Sequence, residues 1–63
     1  MSSRVRWECA ISVWPYQVTV YCAEDDIRAE VAKRLATRHD VAGEDLEHFE
    51  IEDTINLSEA EAA

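Results

Sequence analysis

Two neighbouring stretches of this chain alternate apolar and polar residues with a period of two, and a proline separates them. Residues 4–13 read RVRWECAISV and residues 16–22 read YQVTVYC. This period is typical of a half-buried β-strand, and Pro15 favours a turn because it cannot donate a backbone hydrogen bond. The pattern therefore predicts a β-hairpin with one buried face. The predicted inward side chains are Val5, Trp7, Cys9, Ile11, Val13, Val18, Val20 and Cys22.

The two alternation patterns restrict the register of this hairpin, because a shift by one residue would turn one apolar face to water. A four-residue loop, 14–17, pairs Val13 with Val18 and places Cys9 opposite Cys22. A two-residue loop at 14–15 is the alternative, but it lacks the glycine or asparagine that such turns need. We expect the longer loop and two small buried thiols, with a disulfide only in an oxidising environment.

Residues 24–39, EDDIRAEVAKRLATRH, have the periodicity of an amphipathic helix. Ile27, Val31 and Leu35 recur at i, i+4 and i+8 and form one apolar stripe. Three acids begin the segment, where they can cap amide groups and oppose the helix dipole, and the cations lie towards its end. The only glycine of the chain, Gly43, lies in the break that follows.

Residues 46–52 alternate again and predict a third strand, with Phe49 and Ile51 facing inwards and His48, Glu50 and Glu52 facing outwards. Beyond this stretch, apolar residues continue to occupy odd-numbered positions. The strand therefore either runs on with Asp53 at its fraying end or bends there.

The order strand, strand, helix, strand predicts an α+β fold, in which a three-stranded, mostly antiparallel sheet carries one helix on one face. Pairing the third strand antiparallel to the first would bring Arg4 and Arg6 near Glu50 and Glu52, which predicts the sheet order 2-1-3. We expect one compact domain over residues 1–57 and a frayed acidic tail, SEAEAA, over residues 58–63.

The negative charge is concentrated in the last third of the chain. The net charge is −8, of which residues 1–39 contribute +1 and the nine carboxylates of residues 40–63 contribute −9. Nucleic acid and anionic membranes both require a basic surface, so neither is an expected partner, and a basic protein surface is favoured instead. No apolar run approaches the roughly 20 residues of a membrane span and no signal peptide is evident, which predicts a cytoplasmic protein.

The side chains that usually carry catalysis or bind metals do not form a motif. Cys9 and Cys22 are predicted to be buried, where apolar surroundings raise a thiol pKa. The ligand types that zinc prefers, which include His39 and His48, are separated by 12, 16 and 8 residues without a close pair. A single glycine cannot form a phosphate-binding loop. We expect a protein that is not an enzyme and has no cofactor, no metal and no catalytic residue.

Three explanations fit the acidic third. It keeps a small domain soluble, it is a halophilic surface, or it mimics a nucleic acid and occupies a basic groove. Outward residues of a strand repeat every ~6.6 Å, and phosphates of one DNA strand advance about 3.4 Å along the axis. The predicted contact residues of a mimic are Asp40, Glu44, Asp45, Glu47, Glu50, Glu52 and Asp53, with Glu24, Asp25 and Asp26 as a second group.

In size, acidity, mixed fold and absence of a catalytic motif, the chain resembles small phage-encoded inhibitors of bacterial defence, among them anti-CRISPR proteins that act as DNA mimics. The resemblance is one of type across the whole chain. It implies a stoichiometric inhibitor that binds a nuclease or surveillance complex in the host cytoplasm at its nucleic-acid site.

The aromatic residues suggest a different class of function. Trp14 and Tyr16 are predicted at the hairpin tip and Tyr21 on the outward face. Exposed aromatic side chains often anchor interfaces, which would make the protein a homodimer or an assembly subunit whose acidity serves solubility. The tip aromatics are expected rather to fold back over the thin core.

Overall fold

A computed structural model of the chain describes residues 4–58. Its elements follow one another as strand β1 (Val5–Ile11), strand β2 (Gln17–Cys22), a 3-10 turn (Glu24–Asp26), helix α1 (Ile27–Arg38), helix α2 (Glu44–His48) and strand β3 (Ile51–Asn56). The three strands form one antiparallel sheet in the order β2-β1-β3. The predicted α+β class and the predicted sheet order are both confirmed.

The register of the β1–β2 hairpin differs from the predicted one by four residues. Cys9 pairs with Val18 and Cys22 pairs with Val5, so the two cysteines do not face each other, and both are free thiols. The shift is an even number, which leaves the predicted inward residues of β1 and β2 on their predicted face, whereas Val13 lies in the connection. The observed register pairs six residues of β1 with β2, whereas the predicted one would leave the start of β1 without a partner.

The connection between the two strands is longer than the predicted four-residue loop. It spans residues 12–16 and contains a cis peptide between Trp14 and Pro15. Tyr16 closes it in a left-handed conformation, with φ 71°, donating its N–H to the carbonyl of Val13 and accepting a hydrogen bond from the N–H of Ile11.

The predicted helix over residues 24–39 is a 3-10 turn followed by α1. Its apolar stripe of Ile27, Val31 and Leu35 is buried as predicted. Asp26 occupies the N-cap of α1 without a side-chain cap hydrogen bond, so the predicted capping by the first acids is wrong. Asp40 ends the helix in a left-handed conformation, with φ 53°, which short polar side chains tolerate better than most.

The core lies between α1 and one face of the sheet, and α1 packs mainly against β2. The half-buried Trp7 closes one side of it and donates its indole N–H to the carbonyl of Cys22 at 3.1 Å. The buried cluster consists of Cys9, Ile11, Val18, Val20, Cys22, Ile27, Val31, Leu35 and Phe49.

The predicted third strand over residues 46–52 is wrong in its first half, because Glu44–His48 form α2. Leu46 packs against the core and Phe49 is buried within it, and their spacing of three suits one helical turn as well as a strand boundary. The helix starts at Gly43, whose carbonyl accepts a hydrogen bond from the N–H of Glu47 at 3.1 Å. The exposed positions of His48, Glu50 and Glu52 are as predicted.

A β-bulge interrupts the pairing of β3 with β1. Ile11 pairs with Ile51, whereas the preceding Ala10 pairs with Asp53. Glu52 is therefore the extra residue of β3. Such a bulge bends the strand and disrupts the ladder locally.

The bulge also exchanges the faces to which alternate residues of β3 point. Beyond it, Thr54 pairs with the buried Cys9, so even-numbered residues share the inner face. The strand runs on past Asp53 to Asn56, but Asp53 pairs with Ala10 inside the strand and is not at its fraying end. Ile55, predicted by its odd number to face inwards, lies on the open face and is 47% exposed.

The predicted proximity of Arg4 and Arg6 to Glu50 and Glu52 is wrong. The backbone of Glu50 pairs with Ser12, at the other end of β1. Six residues separate Ser12 from Arg6, about 20 Å along a strand. The sheet order is as predicted, but the charge pairing from which it was inferred does not exist.

Part of the predicted acidic tail, residues 59–63, lies outside the described residues. Ser58 is described, and its Oγ accepts a hydrogen bond from the backbone N–H of Arg6 at 3.4 Å.

We expect the substitution Gly43→Ala to destabilise the protein by about 1–3 kcal/mol, since Gly43 has φ 64° and ψ −138°, a region that L side chains rarely adopt. An added Cβ meets no atom within 4 Å, so the cost comes from the backbone alone. Urea denaturation measures it, with Ala42→Ser in the same exposed loop as the control. Equal midpoints for the two variants would contradict the prediction.

Candidate functional site: the acidic segment

Residues 40–53, here called the acidic segment, bring seven carboxylates to the surface in a short length of chain. They lie in the loop after α1, in α2, in the junction that follows and at the start of β3. Every one of these side chains is exposed: Asp40, Glu44, Asp45, Glu47, Glu50, Glu52 and Asp53.

The first part of the segment runs back along α1. The N–H of Val41 donates to the carbonyl of Leu35 at 3.0 Å, and the carbonyl of Glu47 accepts from Arg28 Nη2 at 3.5 Å. Leu35 and Arg28 are seven residues apart, so the chain passes about 10 Å along the helix at ~1.5 Å per residue. The carboxylates of this stretch thus follow a rigid support rather than a free loop.

Arg28 attaches the segment to α1 without neutralising it. Its guanidinium carbon lies 4.3 Å from the ring centroid of Phe49, a cation–π contact, and its hydrogen bond goes to a backbone carbonyl. Within the segment, His48 Nε2 lies 4.0 Å from Glu47 Oε2. This contact is an ion pair only when the histidine is protonated.

The second part of the segment is fastened to the end of β1. Ser12 donates its N–H to the carbonyl of Glu50 at 3.0 Å, and the N–H of Glu50 donates to Ser12 Oγ at 2.9 Å. Both bonds use the backbone of Glu50, so its carboxylate is not needed for the fold. Sequence reasoning missed the roles of Ser12 and Arg28, since no local pattern marks either contact.

The second predicted acidic group, Glu24, Asp25 and Asp26, forms the exposed 3-10 turn before α1. Arg28 follows this turn by two residues and reaches Glu47, so α2 and the turn lie at the same end of α1. The contact joins Arg28 to the backbone of Glu47 and involves none of the three acids of the turn.

We expected the aromatic side chains at the hairpin tip to fold back over the core, but they are exposed. Trp14 is 60% exposed, Tyr16 61% and Tyr21 59%. Trp14 makes an edge contact with the ring of His39, with centroids 5.5 Å apart, beside the end of α1. Tyr21 lies on the open sheet face as predicted.

The two thiols are buried, as predicted. Burial is the main cause that raises the pKa of Cys9, helped by Cys22 and Glu8. Burial also raises the pKa of Cys22, and Glu30 and Asp26 act in the same direction against a smaller opposite effect of Arg4. Raised pKa values leave the nucleophilic thiolate scarce at neutral pH.

Within residues 4–58, no three His, Cys, Asp or Glu side chains come together in a group that suits a metal ion. None of the helices in this part of the chain has the length and apolar character required to cross a bilayer.

Comparisons of the chain with protein-family models, with curated proteins and with solved structures find no match.

We expect Arg28→Gln to destabilise the protein by about 1 kcal/mol, because it removes the cation–π contact with Phe49 and the hydrogen bond to Glu47. The control is Lys33→Gln, which removes the same charge from an exposed position of α1. Thermal unfolding compares the two. Amide hydrogen exchange of residues 44–48 should accelerate only in Arg28→Gln, and equal exchange in both variants would exclude the proposed attachment.

The buried thiols predict a pH dependence of stability. An unfolded cysteine ionises near pH 9.0, and the folded thiols ionise at higher pH. Their contribution to the free energy of unfolding is thus constant below about pH 9 and is lost as the pH rises through the raised pKa values. Urea titrations from pH 7 upwards measure this loss.

A control for the thiol effect is the double variant Cys9→Ala with Cys22→Ala. It is less stable at neutral pH but should lose less stability than the parent protein as the pH rises. An identical alkaline loss in both proteins would assign the effect to other groups.

Proposed function

We propose that this protein is a non-enzymatic inhibitor whose acidic segment mimics nucleic acid and occupies the basic DNA- or RNA-binding site of a host defence complex, in the manner of anti-CRISPR proteins. The observation that carries the proposal is the exposure of all seven carboxylates on a segment that is held by backbone and apolar contacts. The Glu47–His48 ion pair of this segment is itself exposed, so the charge can meet a partner without the loss of a buried ion pair.

The scale of the segment supports the proposal. Its course along α1 covers about 10 Å, close to three phosphate intervals of one DNA strand at ~3.4 Å each. The acids of Glu24–Asp26 form the exposed turn that precedes α1 and add negative charge at its start. Opposite charges of this density steer association and make it sensitive to salt.

The cations of α1 are separated from the acidic segment. Three of these cations line one groove of α1 from which Arg28 is absent; its lining residues are Glu30, Lys33, Arg34, Thr37 and Arg38. Arg28 is the cation that turns towards the segment, and it contacts a ring and a carbonyl. The basic residues of α1 therefore leave the acidic surface available to a basic partner.

A second candidate is an interaction module that uses Trp14, Tyr16 and Tyr21, with the acidity serving solubility. The observation in its favour is that these three side chains are about three-fifths exposed, and exposed aromatic side chains often anchor interfaces.

The test begins with capture of partners from a bacterial lysate at low salt. Mimicry predicts a nucleic-acid-binding complex that is released by moderate salt and by competing DNA. Glu50→Lys with Glu52→Lys should weaken its binding at least about tenfold, equivalent to roughly 1.4 kcal/mol, with an unchanged circular dichroism spectrum because both side chains are exposed.

A charge-matched pair separates position from total charge. Glu50→Gln with Glu52→Gln changes the net charge from −8 to −6, and so does Ala36→Lys with Thr37→Lys on the exposed side of α1. Mimicry predicts weaker binding for the first pair only. Retained binding in the Glu50/Glu52 variants together with lost binding in Trp14→Ala would reject mimicry and favour the interaction module.

A further inference from the structure

The outer edge of β2 is open to pairing with another strand. Natural edge strands are usually protected by charges, proline or bulges. The β3 edge has Glu52, Asp53 and the bulge, whereas β2, QVTVYC, has none of these three devices. Among residues 4–58, β2 pairs with β1 alone, so its other side is without a partner strand in this part of the chain.

The backbone groups along this edge form a regular row. In an antiparallel ladder, residues alternate between those bonded to the neighbouring strand and those whose N–H and C=O groups point away from it. The N–H of Ile11 donates to the carbonyl of Tyr16 at 2.9 Å, which puts the even-numbered residues of β2 in the class bonded to β1. The N–H and C=O groups of Gln17, Thr19 and Tyr21 therefore point outwards from the sheet.

One flank of α1 lies above this edge. Arg28 and Arg34 precede and follow the buried Val31 by three residues each, which places them about 60° to opposite sides of it. Arg28 contacts Phe49, which leads into β3. Because α1 packs mainly against β2, and β2 is the strand farthest from β3, the flank that carries Arg34 faces the open edge.

This flank is basic, although the chain as a whole is acidic. The groove along it contains three cations and one carboxylate, a charge of +2, in a chain of net charge −8. Among residues 4–58, none of the three cations takes part in an ion pair. An anionic partner therefore complements this flank. The lining residues of the groove are Glu30, Lys33, Arg34, Thr37 and Arg38.

An extended peptide matches the open edge and the basic flank at the same time. In an antiparallel strand next to β2, a residue that bonds to Thr19 has its side chain on the same face as Thr19, the open face of the sheet. The residues between the bonded ones point to the other face, towards the flank of α1. Alternate acidic side chains of such a peptide would thus meet the cations. A nucleic acid would also meet the cations, but it has no row of amide groups for the edge.

We propose that β2 and the basic flank of α1 form a docking site for an extended acidic segment of another protein, which adds to the sheet as an antiparallel strand next to β2. Main-chain hydrogen bonds to the outward groups of β2 supply affinity, and alternate carboxylates that face the cations of α1 supply specificity. A single added strand brings no helix of its own next to α1. The site is separate from the acidic segment of this chain and does not depend on the proposed function.

A synthetic peptide tests the site. The probe has six residues, the length of β2, in which threonine alternates with glutamate, and both of its ends are blocked. In an NMR titration it should shift the amide signals of Gln17, Thr19 and Tyr21 and slow their hydrogen exchange, whereas the same peptide with lysine in place of glutamate should not. Unchanged signals with excess acidic peptide, or an equal response to both peptides, would overturn the proposal. Binding of a single-stranded DNA oligonucleotide in the groove without binding of the peptide would assign the flank to phosphate instead and would also overturn it.

Methylated peptides test the backbone pairing without any change in the protein. Methylation of the threonine nitrogens of the probe removes the N–H groups that face β2, whereas methylation of the glutamate nitrogens removes those that face away from it. The first peptide should lose binding and the second should keep it. Equal affinity of the two methylated peptides would disprove pairing of the peptide with β2 in this orientation.

The double variant Arg34→Gln with Arg38→Gln tests the contribution of the flank. It changes the net charge from −8 to −10 at exposed positions and should weaken binding of the acidic peptide at least about fivefold at low salt, and less at high salt. The matched control, Ala42→Glu with Thr54→Glu, reaches the same net charge at exposed positions outside the site and should bind the peptide as the parent protein does. Equal weakening in both variants would ascribe the effect to net charge alone and reject the site.

Discussion

The packing of α1 against the inner face of β2 is the interaction on which the rest of the structure depends. The stripe of Ile27, Val31 and Leu35 is almost completely buried there. A chain of this length has few large apolar residues, so the core closes only when Phe49 is added from beyond the helix. Bringing Phe49 inwards draws residues 41–48 back along α1, and their polar side chains are left on the outside. The position of the acidic segment is thus a consequence of core formation.

The same packing divides the molecule into two electrically different sides. One flank of α1 is occupied by the acidic segment, which Arg28 attaches through a ring and a carbonyl. The other flank of α1 is basic, since Lys33, Arg34 and Arg38 line one groove there with Glu30.

Much of the fold follows from the periodicity of the sequence, because burial of a face is a strong constraint. The inward residues of β1 and β2, the stripe of α1 and the exposure of the predicted acidic residues could all be predicted in this way. The hairpin register could not, because a shift of four residues leaves the faces unchanged. The helix at residues 44–48 was missed because Leu46 and Phe49 fit either period, and the bulge at Glu52 has no signal in the sequence. The contacts of Ser12 and Arg28 depend on residues far apart in the chain.

The way in which the acidic segment is held has a consequence for its evolution. Ser12 binds the backbone of Glu50, and Arg28 binds a backbone carbonyl and an aromatic ring. No carboxylate takes part in these contacts, so replacements at Glu44, Glu50 and Glu52 meet little resistance from the fold. Asp40 and Asp53 are more constrained, because Asp40 has φ 53° and Asp53 Oδ1 accepts a hydrogen bond from the N–H of Thr54 at 2.9 Å. A lineage can therefore rearrange the pattern of charges along the segment while it keeps one scaffold. Recognition can diverge quickly in such a protein, whereas Ser12, Arg28, Gly43 and Phe49 are constrained to stay.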